Sequence, residues 1–301
     1  MKARSINLIA LILPFLLAAC TGEEWKGMPD VEISFSPAVN ASTRATAGVY
    51  PTDAPFTVWA YSLPGGKRWK EHKQEARSLA TGHNVGYNGG RWLPAPSLEW
   101  PGKENVTCIA CSPLGIATAF TKEKGVIMDD FDATSGILPM FTEPVADCSV
   151  GSTGGCIALP FVHALSKVEF EVRSVADSTI VIRSLTLDNI KYKGDFTSLP
   201  HPKWEAGDDA MRVEFSSEPV VAGRVAKSIG SRMLIGQNIN QGAVLEIDIL
   251  DKDGNSVVQG RRIVTPTIID MWMAGKCHKY PLNLTTSSAY PDSEVLRKFD
   301  I

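Results

Sequence analysis

The chain lacks a strong charge of either sign, a second long apolar run and any grouping of its few histidines. Its 30 Lys and Arg residues nearly balance 33 Asp and Glu residues, giving a formal net charge of −3. That balance provides no basic field, so a nucleic-acid partner is excluded. Beyond one apolar span at the N-terminus, no stretch approaches the ~18 apolar residues of a membrane-spanning helix. The 5 histidines are scattered and form no pair at a metal-binding spacing.

The sequence also lacks the residue groupings that catalysis needs. No serine stands in a nucleophile-elbow motif, and no nucleophile, base and oxyanion donor can be assembled. His163 precedes a strand, where a hydrogen-bonded structural imidazole is the better interpretation. The segment Asp251–Asn255 resembles the start of a calcium loop, but its glycine comes one position early, and a hairpin turn explains it better. We therefore expect no catalytic residues, no cofactor and no metal site.

The N-terminal residues predict export and lipidation. A basic start followed by a short apolar run is the pattern of a signal peptide. The tetrapeptide Leu17–Cys20 then resembles the lipobox of bacterial lipoproteins, in which the cysteine becomes the acylated first residue. We predict a lipoprotein signal peptide over residues 1–19, lipidation of Cys20 and a linker over residues 20–30. The alternative is a plain secretory peptide cut near Ala19, which leaves Cys20 as a spare thiol.

The residues after Cys20 bear on the final compartment. In bacterial lipoproteins an Asp at the next position argues for retention at the inner membrane, and this chain has Thr21. Glu23 and Glu24 resemble an acidic surface-export signal. We therefore expect an outer-membrane lipoprotein at the cell surface, anchored by acyl chains that contribute ~0.8 kcal/mol per buried CH₂.

Five cysteines remain once Cys20 is assigned to the anchor, and an exported compartment permits disulfides. Cys148 and Cys156 flank a Gly- and Ser-rich loop whose ends can meet, so we predict a bridge between them. Cys108 and Cys111 are three residues apart in an apparent strand, where their side chains point to opposite faces. They are predicted to be buried free thiols rather than zinc ligands.

Alternation of apolar and polar residues with period two recurs along the chain and predicts an all-β protein. It is clear over Val168–Val172 and Leu245–Ile249, and such strands are typical of antiparallel sheets with one buried face. The stretch Gly82–Gly102 is rich in Gly and Pro and is expected to form turns and a wide loop. Because a clean series of strands begins after a Gly-rich loop, we predict two β-sandwich domains in series, over residues 31–156 and 157–285.

Several short segments, taken in order, resemble the fimbrillin family, which comprises the pilins of type V pili and their relatives. The segments are Ile33–Phe35, Thr43–Ala45, Pro55–Tyr61, Trp100–Pro101, Val106–Pro113, Phe161–Val168 and Trp272–Lys276. The resemblance extends over about residues 31–284, with Cys111 in a place where the family has an aromatic residue. It implies two transthyretin-like β-sandwich domains, export as a lipoprotein, and polymerisation by strand exchange.

Strand exchange requires a strand that can be removed, and Val31, Ile33 and Phe35 alternate as such a strand requires. Arg44 and Ala45 follow in a Ser-, Thr- and Ala-rich segment that suits proteolysis. The family resemblance implies a cut here by an Arg-specific protease.

The tail over residues 286–301 is the candidate donor strand for a neighbouring subunit. Val295, Phe299 and Ile301 would share one face if the tail is extended. A short helix capped by Ser293 is the alternative for this segment.

The predicted function is that of a structural or adhesive subunit of a cell-surface pilus, assembled by strand exchange after proteolysis. The expected partners are other pilin subunits in a homo- or hetero-polymer, the outer membrane before processing, and a ligand on a host or bacterial surface. The alternative is a monomeric glycan-binding lipoprotein that stacks sugars on Trp92 and Trp100.

Overall fold

A computed structural model describes residues 31–40, 48–174, 179–216, 218–239, 243–250, 253–264 and 271–284, without the side chains of 256–264. Several residues of the sequence-based predictions lie outside the described residues, namely Cys20, Arg44, Ala45, Val295, Phe299 and Ile301. The regular secondary structure of the described part is nearly all strand, which confirms the all-β fold class.

The first half of the chain contains eleven strands and two short α-helices within the described residues. In chain order they are β1 Ser34–Val39, β2 Gly48–Val49, β3 Phe56–Leu63, α1 Trp69–His72, β4 Arg77–Asn88, β5 Arg91–Ala95, β6 Asn105–Ser112, β7 Ala119–Thr121, β8 Gly125–Asp132, β9 Met140–Phe141, β10 Val145–Cys148, α2 Val150–Thr153 and β11 Cys156–His163. Two further turns of 3₁₀ helix cover Lys73–Glu75 and Ala133–Ser135.

The second half adds only strands within the described residues. In chain order they are β12 Ser166–Ser174, β13 Ile180–Lys191, β14 Lys193–Thr197, β15 Lys203–Ala206, β16 Ala210–Glu214, β17 Val220–Ala222, β18 Lys227–Leu234, β19 Val244–Leu250, β20 Ser256–Val264 and β21 Cys277–Leu284.

The sheet of the first half closes on itself. Its strand order is β10-β6-β3-β4-β5-β1-β11-β9, with β2 paired to β1, and β9 also pairs with β6. The strand β1 runs parallel to β11 and antiparallel to β5, so the sheet is not purely antiparallel as predicted. The closed sheet surrounds the first core, which includes Ile33, Phe35, Phe56 and Phe161.

The central strands β3 and β6 are buried on both faces. Val58 and Ala60 face the first core, whereas Trp59 and Tyr61 belong to a second core on the outer side of the sheet. A second layer covers this outer side, and its strand order is β15-β14-β8-β7. Because β7 and β8 come from the first half of the chain and β14 and β15 from the second, this layer joins the two halves.

The second half has its own core between two further sheets. One has the order β18-β12-β21, and the other has the order β16-β13-β19-β20, with β17 also paired to β13. Phe170, Leu187, Trp272 and Tyr280 lie in this core. The strands β19 and β20 pair antiparallel on either side of Asp251–Asn255, as the hairpin prediction requires. The strands β12 and β21 pair in parallel, a second departure from the predicted antiparallel order.

Two sequence-based predictions need correction, one of a domain boundary and one of a loop. The predicted division after residue 156 cuts into the first sheet, because β11 begins at Cys156 and pairs with β1 and β9 as far as His163. Within Gly82–Gly102, β4 and β5 form a hairpin rather than a wide loop, and Gly89 and Gly90 at its turn both have positive φ. The transthyretin-like character of the two units stays a prediction.

Candidate assembly site: the first strand and its groove

The strand β1 occupies an interior position in the closed sheet. On one edge it pairs with β11 along its whole length, from Ser34 opposite Cys156 to Val39 opposite Phe161. On the other edge, Phe35 lies opposite Trp92 of β5, and the end of the strand pairs with β2. Both edges of β1 therefore make backbone contacts with the rest of the sheet.

Residues 31–33 extend these contacts ahead of β1. The backbone N–H of Trp100 donates a 2.9 Å hydrogen bond to Val31 O, and Ile33 N–H donates a 2.7 Å bond to Leu98 O. On the opposite edge, Ser34 N–H donates a 3.0 Å bond to Gly155 O. The segment 31–39 thus lies in a groove between the stretch leading from β5 and the strand β11.

The side chains of this segment alternate as the sequence predicts. Ile33 is fully buried and Phe35 is 3% exposed, and both belong to the first core. The half-buried Val31 packs against the same core. The ring of Phe35 lies 6.2 Å from that of Phe56, edge to face. The shared inward face of Val31, Ile33 and Phe35 is therefore confirmed, whereas removal of the strand stays a proposal.

Pro37 stands where β1 changes partner. Backbone N–H groups alternate between the two edges of a strand, and those of Ser34 and Asn40 point to the β11 side. The nitrogen of Pro37 therefore points to the other edge, between the pairing with β5 at Phe35 and the pairing with β2 at Ala38. Proline has no N–H to donate, and this position interrupts no ladder bond.

Charged groups at the mouth of the groove contribute little to holding the strand. Glu32 lies directly opposite Glu99 in an isolated antiparallel bridge, an arrangement that like charges disfavour. Arg91 Nη1 lies 3.3 Å from a carboxylate oxygen of Glu32, and both side chains are substantially exposed. Because exposed ion pairs are weak, the strand is held mainly by its backbone bonds and buried apolar side chains.

Tyr50 anchors the chain immediately after β2, a role that the sequence did not indicate. Its ring lies 5.4 Å from Trp92 and 5.0 Å from Phe161 within the first core. Its hydroxyl donates a 2.7 Å hydrogen bond to Ser112 Oγ, and burial raises the pKa of Tyr50 above its usual value. Tyr50 is therefore held in the sheet by contacts that do not involve β1.

The two tryptophans proposed as a sugar platform are core residues. Trp92 is 7% exposed and Trp100 is 8% exposed, and both belong to the first core. Trp100 Nε1 is buried without a hydrogen-bond partner. Tyr87 covers part of Trp92, with ring centroids 5.3 Å apart. Because neither indole presents a face to solvent, the glycan-stacking prediction for Trp92 and Trp100 is wrong.

The predicted bridge between Cys148 and Cys156 is not formed, since both are free thiols. The segment between them is ordered rather than a flexible tether, because Ser149 caps α2 through a capping box. Cys148 Sγ lies 3.8 Å from Val145 O, whereas Cys156 is exposed at the start of β11. The two cysteines end and begin strands with different partners, β6 for the first and β1 for the second.

Cys108 and Cys111 are buried free thiols on opposite faces of β6, as predicted. Cys108 lies in the first core and Cys111 in the second. Burial raises the pKa of Cys111 to about 12 and also raises the pKa of Cys108. Both are therefore protonated packing residues at neutral pH.

No group of three or more metal-ligating side chains occurs within the described residues. His163 is half-buried, its Nδ1 has no hydrogen-bond partner, and desolvation lowers its pKa. The hydrogen bond predicted for this imidazole is thus absent at Nδ1. Among the residues that the structure describes, no helix has the length and apolar character needed to cross a membrane.

Comparison with known proteins gives a family and a fold. A fimbrillin-like family model matches residues 43–296. The crystal structure of a fimbrial protein from Bacteroides vulgatus ATCC 8482 superimposes with a TM-score of 0.59 at 16% identity, covering 84% of this chain and 95% of that one. The structure of a candidate cell adhesion protein from Bacteroides ovatus ATCC 8483 gives a TM-score of 0.50 at 11% identity, covering 87% and 94%. A comparison with curated protein sequences gives no match.

The match to the fimbrillin-like family bears out the prediction that the chain is not an enzyme. The family model covers most of the chain, and the first strand lies just ahead of the matched residues. From the sequence match over residues 43–296 and the shared all-β fold, the chain belongs to the fimbrillin-like family.

Proposed function

We propose that the chain is a structural or adhesive subunit of a cell-surface pilus, and that it assembles by strand exchange after proteolysis. Membership of the fimbrillin-like family supports a role in a fimbria. The fold shared with a Bacteroides fimbrial protein agrees with that role. Other subunits of the same fibre are the partners that this function requires.

The observation that carries the proposal is the place of β1 in the closed sheet. If β1 leaves, its neighbours β5 and β11 remain joined through β4, β3, β6 and β9, because β9 pairs with both β11 and β6. The remaining strands therefore stay paired in one sheet, which is open only between β5 and β11, where β1 was. A gap bordered by two strands is the form of site that an extended segment from another molecule can fill.

The energetics favour refilling of this gap. Burial of Ile33 and Phe35 stabilises the folded chain by roughly 1.5–3 kcal/mol per side chain. When β1 leaves, this contribution is lost and the apolar residues that line the groove are exposed. It also leaves the edges of β5 and β11 without partners, and unpaired edges template further pairing. Insertion of a strand from a second subunit is a heterologous contact, so repetition produces an open filament.

The proposed cut lies between β1 and the rest of the sheet. Arg44 and Ala45 stand in sequence after β1 ends at Val39 and before β2 begins at Gly48. A cut here separates β1 from the body, in which Tyr50 stays hydrogen-bonded to Ser112. The tail over residues 286–301 is the proposed donor segment for the next subunit.

The same cut would detach the body from the membrane. Cys20, the proposed lipidation site, precedes Arg44 in the sequence, so acyl anchor and first strand leave together. A single proteolytic event then both frees the subunit from the outer membrane and opens its groove. This coupling would confine polymerisation to exported, processed subunits.

Limited digestion tests the proposal directly. Wild-type chain, Arg44→Ala and the control Arg68→Ala are treated with an Arg-specific protease and followed by size exclusion and electron microscopy. Arg68 is an exposed arginine ahead of α1 and serves as a matched substitution. We expect polymers from wild type and Arg68→Ala, and monomers from Arg44→Ala. Clipped wild type that stays monomeric, even with sibling subunits present, would count against strand exchange at this site.

A further inference from the structure

We propose that the groove selects its occupant by requiring a small side chain at the position of Ser34, between two large apolar side chains. The inference rests on the proposed function, because the incoming strand of a partner subunit occupies the groove that β1 fills. It adds a requirement on the sequence of the partner. The incoming segment must be extended and parallel to β11, and it must carry a small residue between two large apolar residues.

Ser34 is buried although it points away from the first core. Side chains alternate along a strand, so Ser34 faces the side opposite to Ile33 and Phe35. It is nevertheless only 5% exposed. Its N–H donates a 3.0 Å hydrogen bond to Gly155 O, and its hydroxyl donates a 3.3 Å bond to the same carbonyl. The outer face of the strand is therefore covered at this position.

The hydroxyl of Ser34 reaches the turn that precedes β11, because it bonds to Gly155 O. Gly155 has φ +89°, and a Cβ built there would lie 2.9 Å from Val31 Cγ1 and 3.5 Å from Glu32 O. Gly155 therefore lies close to the inward-facing Val31 and to the backbone of Glu32, in the segment that leads into Ser34. The turn is ordered, because Ser149 caps α2: Ser149 Oγ accepts a hydrogen bond from Ser152 N–H, and Ser152 Oγ accepts one from Ser149 N–H. A large side chain at position 34 would need room at a site where Ser34 is only 5% exposed and its hydroxyl lies 3.3 Å from Gly155 O.

Ser36 provides a contrast on the same face of the same strand. It is exposed, and its partner in β11, Ala158, is exposed as well. Two serines two residues apart therefore have opposite environments. The requirement for a small side chain applies at position 34 and not at position 36, which makes Ser36 a matched control.

The first test compares substitutions within the intact chain. Ser34→Leu should lower the denaturation midpoint and speed proteolytic release of β1, because a leucine side chain has no room at this buried position. Ser36→Leu should leave both close to wild type, and Ser34→Ala should fall near wild type because its side chain is small. Equal effects of Ser34→Leu and Ser36→Leu would overturn the inference.

The second test uses peptides and the clipped body of the wild-type chain, so it does not depend on folding of a variant. Fluorescent peptides with the sequence of residues 31–39 carry either the wild-type sequence, Ser34→Leu or Ser36→Leu. We expect wild-type and Ser36→Leu peptides to bind alike, and the Ser34→Leu peptide to bind at least about tenfold more weakly. Equal affinity of the two leucine peptides would overturn the inference.

The two tests separate this inference from the proposed function. If the wild-type peptide fails to bind the clipped body, strand exchange is contradicted. The comparison within the intact chain then still decides whether position 34 requires a small side chain.

Discussion

The ring of Phe196 in β14 lies 5.1 Å from the ring of Phe141 in β9, and both side chains are almost fully buried. This contact packs a strand from the second half of the chain against the closed sheet of the first half. It lies in the second core, to which Trp59 and Trp204 also contribute. The two halves are thus joined through an apolar layer as well as through the chain itself.

The first prediction is that the two halves unfold together and depend on this layer. Phe196→Ala should lower the free energy of unfolding by about 3–5 kcal/mol, because it removes a large buried ring and leaves a cavity. The control Leu138→Ala alters a side chain that is 48% exposed and should change the free energy by less than about 0.5 kcal/mol. Chemical denaturation followed by circular dichroism and tryptophan fluorescence measures both. Two separate transitions, with only one shifted by Phe196→Ala, would refute the coupling.

A second prediction concerns the anchor at Tyr50. Tyr50→Phe removes the hydrogen bond to Ser112 Oγ and leaves that buried hydroxyl without its donor, so we expect a loss of about 1 kcal/mol. Tyr87→Phe removes the same atom from a ring that is 46% exposed and should have little effect. Urea denaturation of both variants provides the comparison. An equally small change in the two variants would show that the hydrogen bond does not stabilise this part of the sheet.

The sequence predicted the strands whose apolar residues alternate, and it predicted the inward face of Val31, Ile33 and Phe35. It also placed Cys108 and Cys111 on opposite faces, because period two is a property of any strand. The layer that joins the halves was not predicted, since short strands such as β7 and β14 carry too few residues to show a period. Their pairing depends on contacts between residues far apart in the chain.

Three other features could not be predicted from the sequence, for similar physical reasons. Tyr50 is fixed by Ser112, a partner 62 positions away that no local pattern reveals. The glycines of the turn between β4 and β5 were interpreted as part of a loop, although consecutive glycines also suit a tight hairpin turn. Trp92 and Trp100 are buried by neighbours such as Tyr50 and Leu98, which the sequence alone does not bring to them.

A third prediction concerns pH. Desolvation lowers the pKa of His163 in the folded chain, whereas the unfolded chain has the usual value of about 6.5. The unfolded state therefore binds the proton more readily, so stability is complete above about pH 6.5 and declines as the pH falls below it. His163→Gln should remove this part of the pH dependence, measured as melting temperature between pH 7.5 and 5. The exposed His201→Gln serves as control. An unchanged pH profile in His163→Gln would contradict the assignment.

The thiols provide a fourth prediction. Cys156 is exposed and should react with iodoacetamide in the native protein. Cys108 and Cys111 should react only after unfolding, because burial raises the pKa of both thiols and excludes the reagent. Mass spectrometry of alkylated peptides at pH 8 gives the order of modification. Rapid native labelling of Cys111 would contradict its position in the second core.

A covalent lock on β1 tests the central claim most directly. Ser36 and Ala158 are exposed partners in neighbouring parallel strands, a spacing compatible with a disulfide. The variant carries Ser36→Cys and Ala158→Cys, with Cys156→Ser to avoid a competing thiol, and Ser36→Cys with the same Cys156→Ser change is the control. After the cut near Arg44, size exclusion should find the oxidised variant monomeric and should find polymers once a reductant is added. Polymers of equal length from the oxidised variant would contradict release of β1 as the step that permits assembly.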